Sequence, residues 1–98
     1  MIKIDKFRHR IQKICRDLSL QRLDIVGSAA REDFSADSDV DVLVNFGNDE
    51  GLFGRYFDLK ERLEEIFERP VDVIDERAIK NPYFKRAVEK NRVKIYGT

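Results

Sequence analysis

The chain has 98 residues, 42% of them hydrophobic and 39% charged, with nineteen basic and nineteen acidic side chains giving zero net charge. That suffices for one domain, residues 1–98, around a single core; it leaves no room for a separate substrate-binding domain and excludes a disordered chain. No apolar run approaches the roughly 20 residues of a membrane-spanning helix, and Met1-Ile2-Lys3-Ile4-Asp5 lacks the apolar stretch of a signal peptide, so a cytoplasmic location without a membrane partner is expected.

Phe7, Ile11, Ile14 and Leu18 recur at helical spacing while Lys and Arg fill the other positions, which predicts an amphipathic helix from Asp5 to Leu18. His9 falls among Arg8 and Arg10 on its solvated side, and the lone Cys15 reads as a small core side chain. Leu23-Asp24-Ile25-Val26 is a short buried strand that stops at Gly27. A second strand begins at Asp39 and continues through Val44 to Phe46. The turn-forming cluster Gly47-Asn48-Asp49-Glu50-Gly51 follows. Phe53, Tyr56, Phe57, Leu63, Ile66 and Phe67 then mark the apolar face of a helix, supported by an Asp58–Arg62 pair four residues apart and ended before Pro70. Val71-Asp72-Val73-Ile74 is a third strand. Asn81-Pro82 supplies an N-cap and a first-turn proline for a short helix with Phe84, Ala87 and Val88 toward the core. Asn91 closes it, and the alternating Val93-Lys94-Ile95-Tyr96 reads as a last, edge strand. The order α-β-β-α-β-α-β predicts an α/β (α+β) domain, a small sheet flanked by helices, with strand order not legible.

Side chains at i and i+2 of a strand share a face, so Asp39 and Asp41 are expected side by side, about 6.8 Å apart along the backbone. Val40, Val42, Val44 and Phe46 take the opposite, core-facing side. Paired carboxylates suit two divalent cations held roughly 3.5–4 Å apart, an arrangement that handles the attacking and leaving oxygens of phosphoryl chemistry. Asp33, Asp37, Asp39 and Asp41 crowd into nine residues, and their repulsion must be relieved by cations, by Arg31 or by exposure. Asp72, alternating with Val71 and Val73, could join them. Gly27 permits a sharp turn and close approach to a ligand, and a helix beginning at Ser28 would point free N–H groups at an anion such as a triphosphate. Ser28 could equally serve as an N-cap for Ala29-Ala30-Arg31, and Arg31 could meet a phosphate or neutralise Asp33 or Asp37. Charge segregation fits a cation site. Residues 23–79 carry six basic and sixteen acidic groups, whereas residues 1–22 and 80–98 are each net +5.

The pattern Gly27-Ser28-x-Ala30-Arg31, continued by Asp37-Ser38-Asp39-Val40-Asp41-Val42-Leu43-Val44, resembles the signature of the minimal nucleotidyltransferases, small relatives of the polymerase-beta-like superfamily. The Gly-Ser-x10-Asp-x-Asp spacing matches without a gap, and the later Val71-Asp72-Val73 stands where these domains carry a further strand aspartate. The resemblance covers nearly the whole chain. It implies a mixed sheet flanked by helices and a nucleotidyl transfer supported by two Mg2+ ions. By the same resemblance Asp39 and Asp41 bind both metals, Asp72 completes the catalytic-metal site and helps deprotonate the acceptor, and Gly27 and Ser28 hold the triphosphate. One departure is Glu32, where many relatives have glycine.

Stand-alone members of this kind are commonly antitoxins paired with a HEPN-domain RNase toxin, onto a tyrosine of which AMP is moved from ATP. The resemblance therefore implies ATP as donor and a HEPN toxin as partner, with direct nucleic-acid binding not expected. Two alternatives remain open at this level. One is a non-catalytic module that neutralises its partner by contact, and the other is a nucleotidyltransferase that acts on RNA through the basic ends.

Overall fold

A computed structural model describes residues 4–31 and 39–97, the side chains of Ser28 and Arg31 excepted. Among them, α1 (Ile4–Asp17), β1 (Arg22–Val26), the single-turn α2 (Ser28–Arg31), β2 (Val40–Asn45), α3 (Leu52–Phe67) and β3 (Val71–Asp75) follow in order. A 3₁₀ turn (Glu76–Ala78), α4 (Pro82–Lys90) and β4 (Val93–Gly97) complete them. The four strands are arranged β3-β2-β1-β4. Antiparallel pairing joins β1 to both of its neighbours, while β2 and β3 run parallel. Parallel neighbours need a long crossover, and α3 supplies it. The sheet is therefore mixed, with β4 at an edge as its short alternating sequence predicts.

Alternation along β2 sorts the two faces. Val40, Val42 and Val44 are fully buried in one cluster with Leu23 and Ile25 of β1, Val71 and Val73 of β3, and Phe46 just past the strand. Ile11, Ile14 and Cys15 of α1 and Leu59, Leu63, Ile66 and Phe67 of α3 cover that face. Burial pushes the Cys15 thiol up to about 12, so it is an inert core side chain.

Two aromatic residues expected on the buried stripe of α3 lie outside it: Phe53 is 78% exposed and Phe57 48%. The stripe that packs runs Leu52, Tyr56, Leu59, Leu63 and Ile66, a three-four spacing that puts Phe53 and Phe57 one position around the helix. Their rings contact each other at 4.6 Å. The Asp58–Arg62 pair forms as expected, at 2.9 Å.

The start of α3 is fastened by Arg55. Its guanidinium donates to the carbonyl oxygens of Leu18 (2.8 Å), Ser19 (2.9 Å), Phe46 (2.7 Å), Asn48 (3.2 Å) and Glu50 (3.1 Å). One fork thus binds the α1–β1 turn to the β2–α3 loop.

The opposite face of the sheet presents Asp24 and Val26 of β1, Asp41 and Leu43 of β2, and Asp72 and Ile74 of β3. Here α4 packs, through Val88 buried against Val26 and Leu43. Its N-terminus forms as the sequence predicts: the Asn81 carboxamide oxygen accepts from the Tyr83 and Phe84 N–H groups at 2.9 and 3.3 Å. The expectation that Phe84 and Ala87 also point into the core is not met. Both are exposed, Phe84 by 45%, because α4 touches the sheet through Val88 and leaves a cleft beside it.

Asp24 is the one charged side chain among the described residues that is fully buried. Arg22 donates to it from Nε (2.8 Å) and Nη2 (3.0 Å), and Arg92, just ahead of β4, donates to its Oδ2. Arg92 also reaches Glu76 of the 3₁₀ turn at 2.9 Å. The β3–α4 connection and the α4–β4 junction are thereby tied to the middle of β1.

Candidate active site

The site forms where β1 ends and β2 and β3 begin, on the face shared with α4. Asp41 is opposite Val26 on β1 and in register with Asp72 on β3. Immediately after Val26, Gly27 turns the chain with φ +70°, a conformation that L side chains rarely adopt. A Cβ on this residue would lie 2.9 Å from Asp41 Oδ2. The turn therefore needs glycine for its dihedral, while the tip of the Asp41 carboxylate would have to shift to admit a Cβ. The short helix α2 starts at Ser28, with Ala30 N–H bonded to Gly27 O at 3.1 Å. The sequence reading of a turn followed by a helix at Gly27-Ser28 is met at the backbone level.

Asp41 and Asp72 come together because β2 and β3 are parallel neighbours with the two residues in register. Burial raises the pKa of Asp41, and the charge of Asp72, its hydrogen bond and the charge of Asp39 raise it further. All these influences oppose ionisation, so a bound cation is what would relieve them. Asp39, expected as the first residue of the strand, stands one residue ahead of β2 and is exposed, with its charge felt by Asp41. Three His, Cys, Asp or Glu side chains converge nowhere among the described residues as a complete metal cage. The donor set nonetheless fits Mg2+, a hard cation usually held by one or two carboxylates together with substrate phosphates and water rather than by an all-protein cage. The side chains of Ser28 and Arg31, together with Asp33, Asp37 and Glu32, lie outside the described residues.

Behind the carboxylates a cleft of about 480 Å³ opens between the sheet and α4. Gly27, Asp41 and Asp72 line one part of it, and Val26, Ile74, Phe84, Ala87 and Val88 the rest. Phe84, part-exposed, is thus one of the residues that line this cleft. Sequence spacing did not find this wall, because an apolar residue facing a cleft and one facing a core share the same helical period. The Asp24–Arg92–Glu76 clasp was also missed. A charge inside the buried run Leu23-Asp24-Ile25 was the available signal, but its partners Arg92 and Glu76 are remote in sequence.

Residues 8–95 match the family model described as "Nucleotidyltransferase domain". The chain belongs to this nucleotidyltransferase family. Among its relatives is "Putative protein adenylyltransferase MJ1379" of Methanocaldococcus jannaschii, 32% identical over 95 residues that cover 95% of each chain. The fold is similar to a solved structure described as a "putative minimal nucleotidyltransferase", with TM-score 0.74, 27% identity, and coverage of 94% of this chain and 95% of that one. It is also similar to a chain of a complex between a tri-AMPylated Shewanella oneidensis HEPN toxin and an MNT antitoxin, with TM-score 0.69, 21% identity, and coverage of 98% and 74%. The expected family and the mixed α/β fold are thereby established.

Proposed function

We propose that this nucleotidyltransferase is an antitoxin that transfers AMP from ATP to a tyrosine of a HEPN-domain RNase toxin. The observation that carries the reading is the registration of Asp41 with Asp72 beside the close-packed Gly27 turn, at the mouth of an open cleft. A relative named for protein adenylylation and a structural neighbour complexed with an AMPylated HEPN toxin support the acceptor.

In this reading Gly27 and Ser28 grip the triphosphate, with Arg31 against its phosphates. Asp39 and Asp41 hold two Mg2+ ions, and Asp72 completes one of the two sets. When bound, the ions supply positive charge to the α-phosphate and to the departing pyrophosphate. The acceptor oxygen forms a bond to the α-phosphorus, the bond from that phosphorus to the bridging oxygen breaks, and pyrophosphate leaves. Asp72, the more exposed member of the carboxylate pair, takes the phenolic proton. Positioning of charge, rather than covalent catalysis, is what the chain contributes.

The test is intact-mass spectrometry of the toxin after incubation with this protein, ATP and magnesium, beside an Asp39→Ala/Asp41→Ala control. Addition of one or more AMP units with the unaltered protein alone is the expected result. A toxin that gains no mass yet stays inhibited in a stable complex would falsify the catalytic account and leave neutralisation by contact.

A further inference from the structure

Once the carboxylates are assigned to the metal ions and the glycine turn to the phosphates, the larger part of the cleft has no role. Its remaining lining, Val26, Ile74, Phe84, Ala87 and Val88, contributes side chains without a single nitrogen or oxygen. A surface of this kind cannot hydrogen-bond a ligand's edge, but it can cover the face of a flat ring. Phe84 supplies such a face, 45% exposed although four apolar neighbours stand within the same cleft. The helix that carries it is anchored at both ends. The Phe84 N–H is bonded to the Asn81 cap at 3.3 Å, and the far end of α4 leads into Arg92, which is fastened to Asp24 and Glu76.

We propose that Phe84 is the platform on which the nucleobase of the donor nucleotide lies, and that this site selects the base by ring area rather than by its hydrogen-bonding edge. The inference rests on the nucleotidyltransferase reading above. The phosphate-gripping turn at Gly27 and the Phe84 wall line one continuous cleft, whose volume of about 480 Å³ falls in the range of small-molecule sites, roughly 300–1,000 Å³. A purine covers more of the wall than a pyrimidine. Adenine and guanine, which differ in their edges and hardly in their area, are treated alike.

The test is equilibrium binding of ATP, GTP, CTP, UTP and ring-less tripolyphosphate to the full chain with magnesium and without any toxin. Base–aromatic stacking is lost on alanine substitution at a cost that corresponds to about fivefold or more in affinity. Phe84→Ala should therefore weaken ATP and GTP by at least that factor and leave tripolyphosphate binding unchanged. Phe84→Tyr, which keeps the ring, should bind ATP as the unaltered protein does. ATP and GTP should bind within a few-fold of each other and more tightly than CTP and UTP. The proposal is overturned if Phe84→Ala binds ATP normally, if tripolyphosphate weakens equally, or if ATP exceeds GTP by a hundredfold. Normal ATP binding with a raised KM for the toxin would assign the wall to the acceptor instead. Ring-dependent binding without transfer to a toxin would refute the acceptor assignment alone, whereas an unaltered protein that binds neither ATP nor tripolyphosphate would refute both readings.

Discussion

Asp41→Asn should make the metal-free protein more stable and magnesium should reverse the order. The wild-type carboxylate is held against burial and against Asp72 on the neighbouring strand. Two unit charges about 5 Å apart at an effective dielectric of about 20 repel by roughly 3 kcal/mol. Asp72 is exposed, so solvent screening reduces the net penalty to about 1 kcal/mol. An asparagine has nearly the same shape, carries no charge and can donate its amide hydrogen to Asp72. In a domain of this size about 1 kcal/mol corresponds to a rise in Tm of roughly 4–8 °C. Thermal unfolding in EDTA measures this directly. With magnesium at about ten times its Kd, ligation adds roughly 1.4 kcal/mol to the protein that binds it, so the wild type should overtake the variant. AMP transfer should be lost in the variant in either case. A variant less stable than wild type in EDTA, or one that magnesium stabilises equally, would refute the reasoning.

Removal of Asp24 should act in the opposite sense. It is fully buried between Arg22 and Arg92, and breaking such a pair from one side costs about 3 kcal/mol; urea unfolding of Asp24→Ala checks this, with a loss under about 1 kcal/mol refuting the clasp. Adding Arg92→Ala should cost much less in that background than in the wild type, because the pair has already been broken. Glu64 Oε2 accepts the Val71 N–H at 3.0 Å, and this bond, with help from Lys60, lowers its pKa below the usual 4.5. Its stabilising contribution is therefore present above that value and is lost as pH falls through the lower, folded-state pKa. The stability gap between wild type and Glu64→Gln should be constant near neutrality and close in acid; a gap that widens below pH 4.5 would contradict the assignment. Arg55→Lys should destabilise by about 2 kcal/mol or more in urea, since a lysine cannot span five carbonyl oxygens with a planar fork. Wild-type stability would remove the fastening role given to that side chain.

Much of this structure could be read from periodicity because burial imposes it. The two-residue alternation of β2 put Val40, Val42 and Val44 in the core and Asp41 on the other face, and the 3.6-residue period located α1 and α3 to within a residue or two. The Asn81 cap was legible because its chemistry is local. Strand order was not, since nothing local states that β1 lies between β2 and β4. The site divides along the same line. Val26, just ahead of Gly27, is joined to Asp41 by an antiparallel pairing and Asp72 by a parallel one, and only the family resemblance implied that convergence. Phe84 and Phe53 were misread because helical period identifies a face and does not say what covers it.

One face of the sheet thus holds two acidic centres that differ in what neutralises them. Asp24 sits deep on β1 with two arginines bound to its carboxylate, one of them shared with Glu76. Its charge is compensated permanently, and the compensation is used to hold the segments at both ends of α4. Asp41, one strand over and nearer the ends of the strands, has burial, Asp72 and Asp39 all acting against its ionisation. A carboxylate with fixed arginine partners serves the fold, and under the proposed function the carboxylate left at odds with its surroundings at the cleft is the one that meets an exchangeable charge. The separation has a mechanical consequence. Because α4 is held both by Val88 packed on Val26 and Leu43 and by the Arg92 clasp to Asp24 and Glu76, neither fastening uses Asp41 or Asp72, which line the cleft together with Phe84.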